Sequence, residues 1–333
     1  MASKHLYKMV AVLGAGKFGT AVANLVAPNV SRVFLYTHKA ERVAEINSSA
    51  ADVPLAANVM VTTDLPMVLR TCLVIFPVVP AAKFRGLVQQ MAPDLTSDHI
   101  LIHGTKGLHL YQDGDTPLGR GVVTMSSIIF RETVVQQIGC LAGPNLSAFL
   151  AKKHPAVTVV ASNAQSVLSV GEKLLTSDWL RVYLSSNLQG VEICSVLKNI
   201  FAIGAGIVGG MGYQLNTYAF FITSAISEMR YILTTMRIRK GDLLGPAGLG
   251  DLIATCGSTA SRNYTIGYRL TKGEKLADIL STAKEVSEGV QTVQLIREAM
   301  QSYDRSAPMV EAIYRMLFED LPLKEGVDAM LDG

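Results

Sequence analysis

Val10-Ala11-Val12-Leu13-Gly14-Ala15-Gly16-Lys17-Phe18-Gly19-Thr20 is an apolar strand that runs into a Gly14-x-Gly16-x-x-Gly19 turn and then into a helical pattern. Each glycine has its own steric reason. Gly14 lets the chain turn sharply, Gly16 lets the backbone approach a pyrophosphate, and Gly19 lets the next helix close on the strand with its N-terminus toward the anion. Three glycines at this spacing are common by chance. Here they close the first strand of the chain, and Val33-Phe34-Leu35-Tyr36 supplies a second strand at the interval a dinucleotide-binding unit needs.

Working outward, short apolar runs alternate with helical patterns from residue 9 to about 184, as in a mainly parallel sheet with crossover helices on both faces. The expected strands are Met9 to Leu13, Arg32 to Tyr36, Cys72 to Phe76, Ile100 to His103, Val122 to Met125, Ile138 to Ala142, Val157 to Ala161 and Leu180 to Leu184. Leu73-Val74-Ile75-Phe76 is continuously apolar, so both faces of the sheet must be covered. After Ser185 the strand signals stop and helical spacing takes over, from Gln189 to Ile207, Thr217 to Met236, Ser258 to Thr271, Lys275 to Leu280, Gly289 to Tyr303 and Met309 to Phe318. The fold class is α/β: an N-terminal Rossmann-type doubly wound sheet over residues 1–184, which binds the dinucleotide, followed by an all-helical C-terminal domain over 185–333, which binds substrate. Catalytic residues are expected from both halves, because ligands of such sheets lie at the carboxyl ends of the strands.

Composition narrows the function. A chain of 333 residues accommodates two cores, and a hydrophobic fraction of 49% points to deeply buried helices or an oligomer interface. A net charge of +3 without a Lys/Arg-rich run makes nucleic acid an unexpected partner. The first eight residues are short and polar ahead of the first strand, so a cytoplasmic protein is expected. The stretch from Ile200 to Tyr213 is too short for a bilayer and carries Gly204, Gly206, Gly209, Gly210 and Gly212, which reads as a buried helix followed by a glycine-rich bend. Cys72, Cys140, Cys194 and Cys256 lack metal-binding spacing and read as reduced core residues, with no metal expected.

After the second strand stands Tyr36-Thr37-His38-Lys39, with Arg42 nearby, and no acid to accept from a free ribose 2′-hydroxyl. Such a loop tolerates a 2′-phosphate or is simply a solvated turn, so the expected cofactor is NAD or NADP, exchanged as a co-substrate rather than held as a prosthetic group. Four polar clusters interrupt the apolar background. Lys106 in Gly104-Thr105-Lys106-Gly107 follows a strand end, and Gly143-Pro144-Asn145-Leu146-Ser147 follows another. Lys198 lies in the middle of the apolar helix Gly190-Val191-Glu192-Ile193-Cys194-Ser195-Val196-Leu197-Lys198-Asn199. Gly248-Leu249-Gly250-Asp251 precedes Ser261-Arg262-Asn263. Each has an ordinary structural reading: an exposed turn lysine, a capped loop, a snorkelling lysine, a surface arginine behind a serine cap. Each also has a chemical one, in which a buried lysine moves protons and an arginine at a helix N-terminus holds phosphate.

Taken in order, GAGKFG, TKGL, AGP, GVEICSVLKN, GLGDLIATC, SRN and EVSEGV resemble the bacterial-type NAD(P)-dependent glycerol-3-phosphate dehydrogenase family over nearly the whole chain. The resemblance implies interconversion of sn-glycerol 3-phosphate and dihydroxyacetone phosphate, an early step of phospholipid biosynthesis; the apolar second half makes a homodimer the expected assembly. The resemblance also implies proton transfer at Lys198, assisted by Lys106 and Asp251. It implies substrate contacts at Lys106, Gly143, Asn145, Asp251, Ser261, Arg262 and Asn263. The cofactor contacts it implies are Gly14, Gly16, Lys17, Phe18, Gly19, His38, Lys106, Ser147, Arg262, Val286 and Glu288. The chain departs from the family pattern at Asn145 and Phe149, where a small hydroxyl and an acid are usual, and at Lys17, Asn187 and Ser224. Two other readings are compatible with parts of the pattern. One is a two-domain reductase of the ketopantoate or 3-hydroxyacid type, which binds a carboxylate. The other is a non-catalytic dinucleotide-binding sensor.

Overall fold

A computed structural model describes residues 7–47, 54–111, 116, 118–119, 121–150, 152–282 and 287–332. The chain divides into two compact units, one formed by Met1–Thr105 with Met125–Leu188 and the other by Lys106–Thr124 with Gln189–Gly333. The boundary expected after residue 184 therefore falls after 188. In addition, residues 106–124 belong with the helical unit rather than with the sheet.

The strands are β1 (Met9–Leu13), β2 (Arg32–Tyr36), β3 (Val59–Thr62), β4 (Val74–Pro77), β5 (Ile100–His103), β6 (Leu108–Leu110), β7 (Val122–Thr124), β8 (Gln137–Ala142), β9 (Ala156–Ser162) and β10 (Leu180–Ser185). Among the described residues, eight of them form one sheet in the order β10-β9-β8-β5-β4-β1-β2-β3, parallel throughout except at β8–β9. Helices α1 (Lys17–Val26), α2 (Ala40–Asn47), α3 (Leu65–Thr71), α4 (Ala81–Met91), α5 (Met125–Glu132), α6 (Ser147–Leu150) and α7 (Gln165–Leu175) belong to this unit. Val10, Val12, Val74, Phe76 and Ile102 from the sheet pack with Val22 and Val26 of α1, all fully buried. The order reverses from β4 to β1 and β2, which sets the glycine turn after β1 at the sheet's switch point.

Two expectations fail here for physical reasons. Val122 to Met125 was expected in the main sheet, but β7 pairs antiparallel with β6 inside the helical unit, and Met125 begins α5. A three-residue apolar run is equally suited to any buried strand, and its periodicity does not say which partner it will find. The edge strand β3 was not anticipated: it pairs with β2 on one side, and its residues are half-buried or exposed, so it lacks the continuous apolar run of a central strand.

The second unit holds α8 (Leu188–Gly210), α9 (Leu215–Thr235), α10 (Asp251–Cys256), α11 (Arg262–Leu270), α12 (Leu276–Thr282), α13 (Glu288–Ser302), α14 (Pro308–Phe318) and α15 (Leu323–Asp332). Among the described residues α8 is the one helix long and apolar enough to cross a membrane by length and composition, and its apolar window is entirely buried. The glycine-rich bend expected after Ile207 is also corrected, because Gly204, Gly206, Gly209 and Gly210 all lie within α8. They form a packing seam. A Cβ at Gly206 would sit 2.0 Å from the Tyr264 carbonyl oxygen, and one at Gly267 of α11 would sit 1.9 Å from the Ile203 carbonyl oxygen. Backbone therefore meets backbone between α8 and α11. Gly289, at the start of α13, closes the same corner: its Cβ would meet Asn263 Oδ1 at 2.5 Å and the Asn199 carbonyl at 2.8 Å.

Gly206→Ala forces these helices apart, because the obstructing atom is backbone. It should destabilise the protein by about 1–3 kcal/mol, measured as a lowered urea midpoint at unchanged m-value.

Candidate active site

The glycine turn of the first unit fits the pyrophosphate of a dinucleotide. Gly14 has φ +119°, and a Cβ there would lie 2.3 Å from the Val78 carbonyl oxygen, while a Cβ on Gly19 would lie 1.7 Å from the Gly14 carbonyl oxygen. Both positions are closed to side chains by the fold itself. At Gly16 a Cβ would meet nothing within 4 Å, so the exposed face of the turn is open. Gly16 is also the N-cap of α1, and no side chain caps the helix there. First-turn N–H groups are thus left to an anion, with the helix dipole behind them.

Around this turn, Phe18 lies against Gly104, where a Cβ would come within 2.9 Å of its ring, and Lys17 and His38 are exposed. Arg42, half-buried, donates from Nε to the Ala15 carbonyl at 3.2 Å and pairs with Glu45 at 2.9 Å. It is the cation of the β2–α2 segment tied to the glycine turn, a link that sequence spacing does not reveal. The loop after β8 holds Gly143 at φ +96°. Asn145 is oriented unambiguously: Ala142 O accepts from both Asn145 Nδ2, at 2.7 Å, and Thr158 Oγ1, at 3.1 Å, so Thr158 Oγ1 in turn accepts from Nδ2, at 2.8 Å. Both amide hydrogens are used, and the buried Oδ1 faces outward from that network as a bare acceptor. Ser147, half-buried, opens α6.

The second unit contains a buried charge cluster. Asp251, at the first position of α10, is 0% exposed and takes one ammonium on each oxygen: Lys198 Nζ on Oδ1 at 2.5 Å and Lys106 Nζ on Oδ2 at 2.7 Å. Lys198, only 4% exposed, also donates to Thr255 Oγ1 at 2.7 Å, and Thr255 donates to Asp251 Oδ1 at 3.2 Å. Two of the three N–H groups of Lys198 are therefore held by the protein, which leaves one for a ligand oxygen. Burial brings the Lys198 ammonium down to about 8. Asp251 opposes that shift, and the Lys106 charge adds to it. Thr255 was missed in the sequence reading. Its signal was its position four residues after Asp251, one helical turn along the same face.

Beside this cluster, the first turn of α11 begins at Arg262. Ser261 is its N-cap and accepts from Tyr264 N at 3.3 Å. Asn263 Oδ1 accepts from Gly289 N at 3.1 Å and from the Ser287 hydroxyl, which braces the start of α13. Both residues use acceptors on the protein and keep donors, the Ser261 O–H and Asn263 Nδ2. Together with the exposed Arg262 guanidinium and the helix N-terminus they make a donor-only set suited to phosphate. Glu288 is the first residue of α13, and Val286 lies outside the described residues. Of the expected site residues, Gly14, Gly16, Lys17, Phe18, Gly19, His38, Gly143, Asn145 and Ser147 fall in the first unit. Lys106, Lys198, Asp251, Ser261, Arg262, Asn263 and Glu288 fall in the second.

Comparison with known proteins identifies the family. Family models described as the N-terminus and the C-terminus of NAD-dependent glycerol-3-phosphate dehydrogenase match residues 9–168 and 187–328. The chain is 32% identical to glycerol-3-phosphate dehydrogenase [NAD(P)+] of Teredinibacter turnerae over 97% of its length and 94% of that protein's. It is 31% identical to the Staphylococcus aureus enzyme of the same name, with 97% of each covered. The crystal structure of glycerol-3-phosphate dehydrogenase from Coxiella burnetii superposes with a TM-score of 0.88 at 26% identity, covering 98% of this chain and 99% of that one. A ketopantoate reductase of Ralstonia eutropha shares the fold alone, at 12% identity and a TM-score of 0.60 with 97% and 99% covered, so the ketopantoate-type alternative is reduced to a distant structural likeness.

Because β2 is followed by hydroxyl and basic groups, and Arg42 is anchored to the turn, NADPH should be accepted at least as well as NADH. Steady-state kcat/KM for the two cofactors checks this, and a strong NADH preference contradicts it.

Proposed function

Since the chain belongs to the NAD-dependent glycerol-3-phosphate dehydrogenase family, we propose that Lys198, Lys106 and Asp251 form its proton-transfer centre and that Arg262, with Ser261 and Asn263, holds the phosphate end of its substrate. The chain is an NAD(P)-dependent oxidoreductase, and its reaction is the interconversion of sn-glycerol 3-phosphate and dihydroxyacetone phosphate. NAD(P)H supplies the hydride for the C2 ketone. The observation that carries the residue assignment is the buried ammonium of Lys198, held on two sides and left with one N–H to offer.

As the ketone is reduced, negative charge develops on its oxygen. A donor fixed in advance in a buried site stabilises that charge more than it stabilises the neutral ketone, which is what lowers a barrier. Lys198 donates the hydrogen bond and then its proton to the alkoxide. Lys106 contributes a second positive charge, and Asp251 orients both ammonium groups instead of reacting itself. In the oxidative direction neutral Lys198 accepts the hydroxyl proton, for which its lowered proton affinity is suited. Arg262 grips a phosphate whose charge does not change during the reaction, so it contributes binding more than rate.

The same reading places the enzyme in the cytoplasm, as a homodimer that supplies the glycerol backbone for phospholipid synthesis. Exposed Leu215, Phe220 and Tyr231 on α9 support an interface there.

Lys198→Ala should lose about a hundred- to a thousandfold in turnover while cofactor binding, followed by nicotinamide fluorescence, is retained. In the parent enzyme, kcat/KM for ketone reduction should fall as pH rises through about 8, because the protonated lysine is needed. That for alcohol oxidation should rise over the same interval. Cofactor binding without turnover on dihydroxyacetone phosphate would favour the sensor reading instead. Arg262→Ala should raise KM for dihydroxyacetone phosphate by about 10- to 100-fold with kcat little changed, as loss of a charge-assisted bond in uniform binding requires. A change confined to kcat overturns its assignment.

A further inference from the structure

A buried hydroxyl without a hydrogen-bond partner lies one helical turn before Lys198. Ser195 is 3% exposed, and its Oγ makes no hydrogen bond. Serines inside helices ordinarily donate back to the carbonyl four residues earlier, and Ser195 does not. An enclosed hydroxyl left in this state is unfavourable relative to a methyl group, so a ligand that pairs with it would account for its presence.

Its place on α8 narrows what that ligand is. The helical repeat sets Ser195 about 60° around the axis from Lys198 and about 40° from Asn199, on the same side of the helix as both. Lys198 reaches Asp251 and Thr255, and the Asn199 carbonyl lies at the corner where Asn263 meets Gly289. Along the axis Ser195 precedes Lys198 by one turn whereas Asn199 and the corner with α11 follow it, so Ser195 lies on the far side of the proton-transfer lysine from the phosphate cluster, as the terminal hydroxyl of a ketone phosphate lies across the carbonyl carbon from its phosphate. A phosphorylated three-carbon ketone presents three polar groups. The ketone oxygen is assigned to Lys198 and the phosphate to Arg262, Ser261 and Asn263. The terminal hydroxyl, both donor and acceptor, is left, and a serine hydroxyl matches it in both capacities.

We propose that Ser195 Oγ hydrogen-bonds the terminal hydroxyl of the substrate, making Ser195 a specificity-determining residue for ketone phosphates with a free hydroxymethyl group. This rests on the function proposed above. The parent enzyme's turnover of dihydroxyacetone phosphate tests that function separately, and its absence would refute that reading before Ser195 is examined.

The test compares dihydroxyacetone phosphate with its deoxy analogue, hydroxyacetone phosphate, which carries a methyl group in place of the terminal hydroxymethyl. In Ser195→Ala, kcat/KM for dihydroxyacetone phosphate should fall about 3- to 10-fold, and that for the analogue should stay within twofold of the parent's. Tm of the ligand-free variant should equal or exceed the parent's, because an unpaired buried hydroxyl has been removed. Ser195→Gly, which also lacks the hydroxyl but weakens the helix, should show the same substrate-selective loss whatever its Tm. An equal loss on both substrates, or no loss on either, overturns the proposal.

Discussion

A single carboxylate, Asp251, holds the buried ammonium of Lys198 and the half-buried one of Lys106, and the candidate site of the second unit is arranged around it. Charges held this far from water are costly unless each is hydrogen-bonded. The protein supplies the hydrogen bonds. Asp251 divides its oxygens between Lys106 and Lys198, and Thr255 closes a ring by accepting from the lysine and donating to the carboxylate. The N–H that Lys198 keeps is what an oxyanion would complement.

That geometry depends on how closely α8 approaches its neighbours. An apolar helix of 23 residues carrying a lysine in its middle cannot let the side chain snorkel, because the helix is buried along its apolar length. Its partners must come to it. The glycine contacts at Gly206 and Gly267 bring α11 against α8, and Gly289 lets the start of α13 reach Asn263 and the Asn199 carbonyl. The residues that hold the phosphate cluster in place are thus the same ones that cap helices. Ser261 caps α11 and Asn263 braces α13, each through an acceptor atom, which leaves their donors for the phosphate proposed to bind there.

Much of this was legible in the sequence. The turn after β1 announced itself because Gly14 and Gly19 are required by the backbone, and backbone requirements leave a residue type at a spacing. Lys198 stood out because a lysine inside a long apolar run either snorkels or has a chemical role. What stayed hidden depended on long-range partners. The pairing of β6 with β7, the join of residues 106–124 to the helical unit, and the tether from Arg42 to Ala15 link positions with no periodic relation. The glycines of α8 were misread as a bend for a related reason: glycine is permissive in a turn and also admits a neighbouring backbone, and only the neighbour distinguishes the two uses. Thr255 escaped notice because a threonine in a helix carries no signal until the lysine it touches is in place.

The lowered proton affinity of Lys198 follows first from its burial, opposed by Asp251 and reinforced by the Lys106 charge. The two ammonium groups repel across Asp251. When Lys198 gives up its proton, Lys106 and Asp251 remain as a balanced pair, and the group that became neutral is the more deeply buried of the two lysines. Burial and the second ammonium therefore both favour proton release. The carboxylate opposes it, but its charge is shared with Lys106, and the balance comes out near 8 rather than at the ordinary value for lysine. One carboxylate shared by two lysines thus leaves Lys198 below the ordinary lysine value, which suits the two-way proton transfer proposed for it.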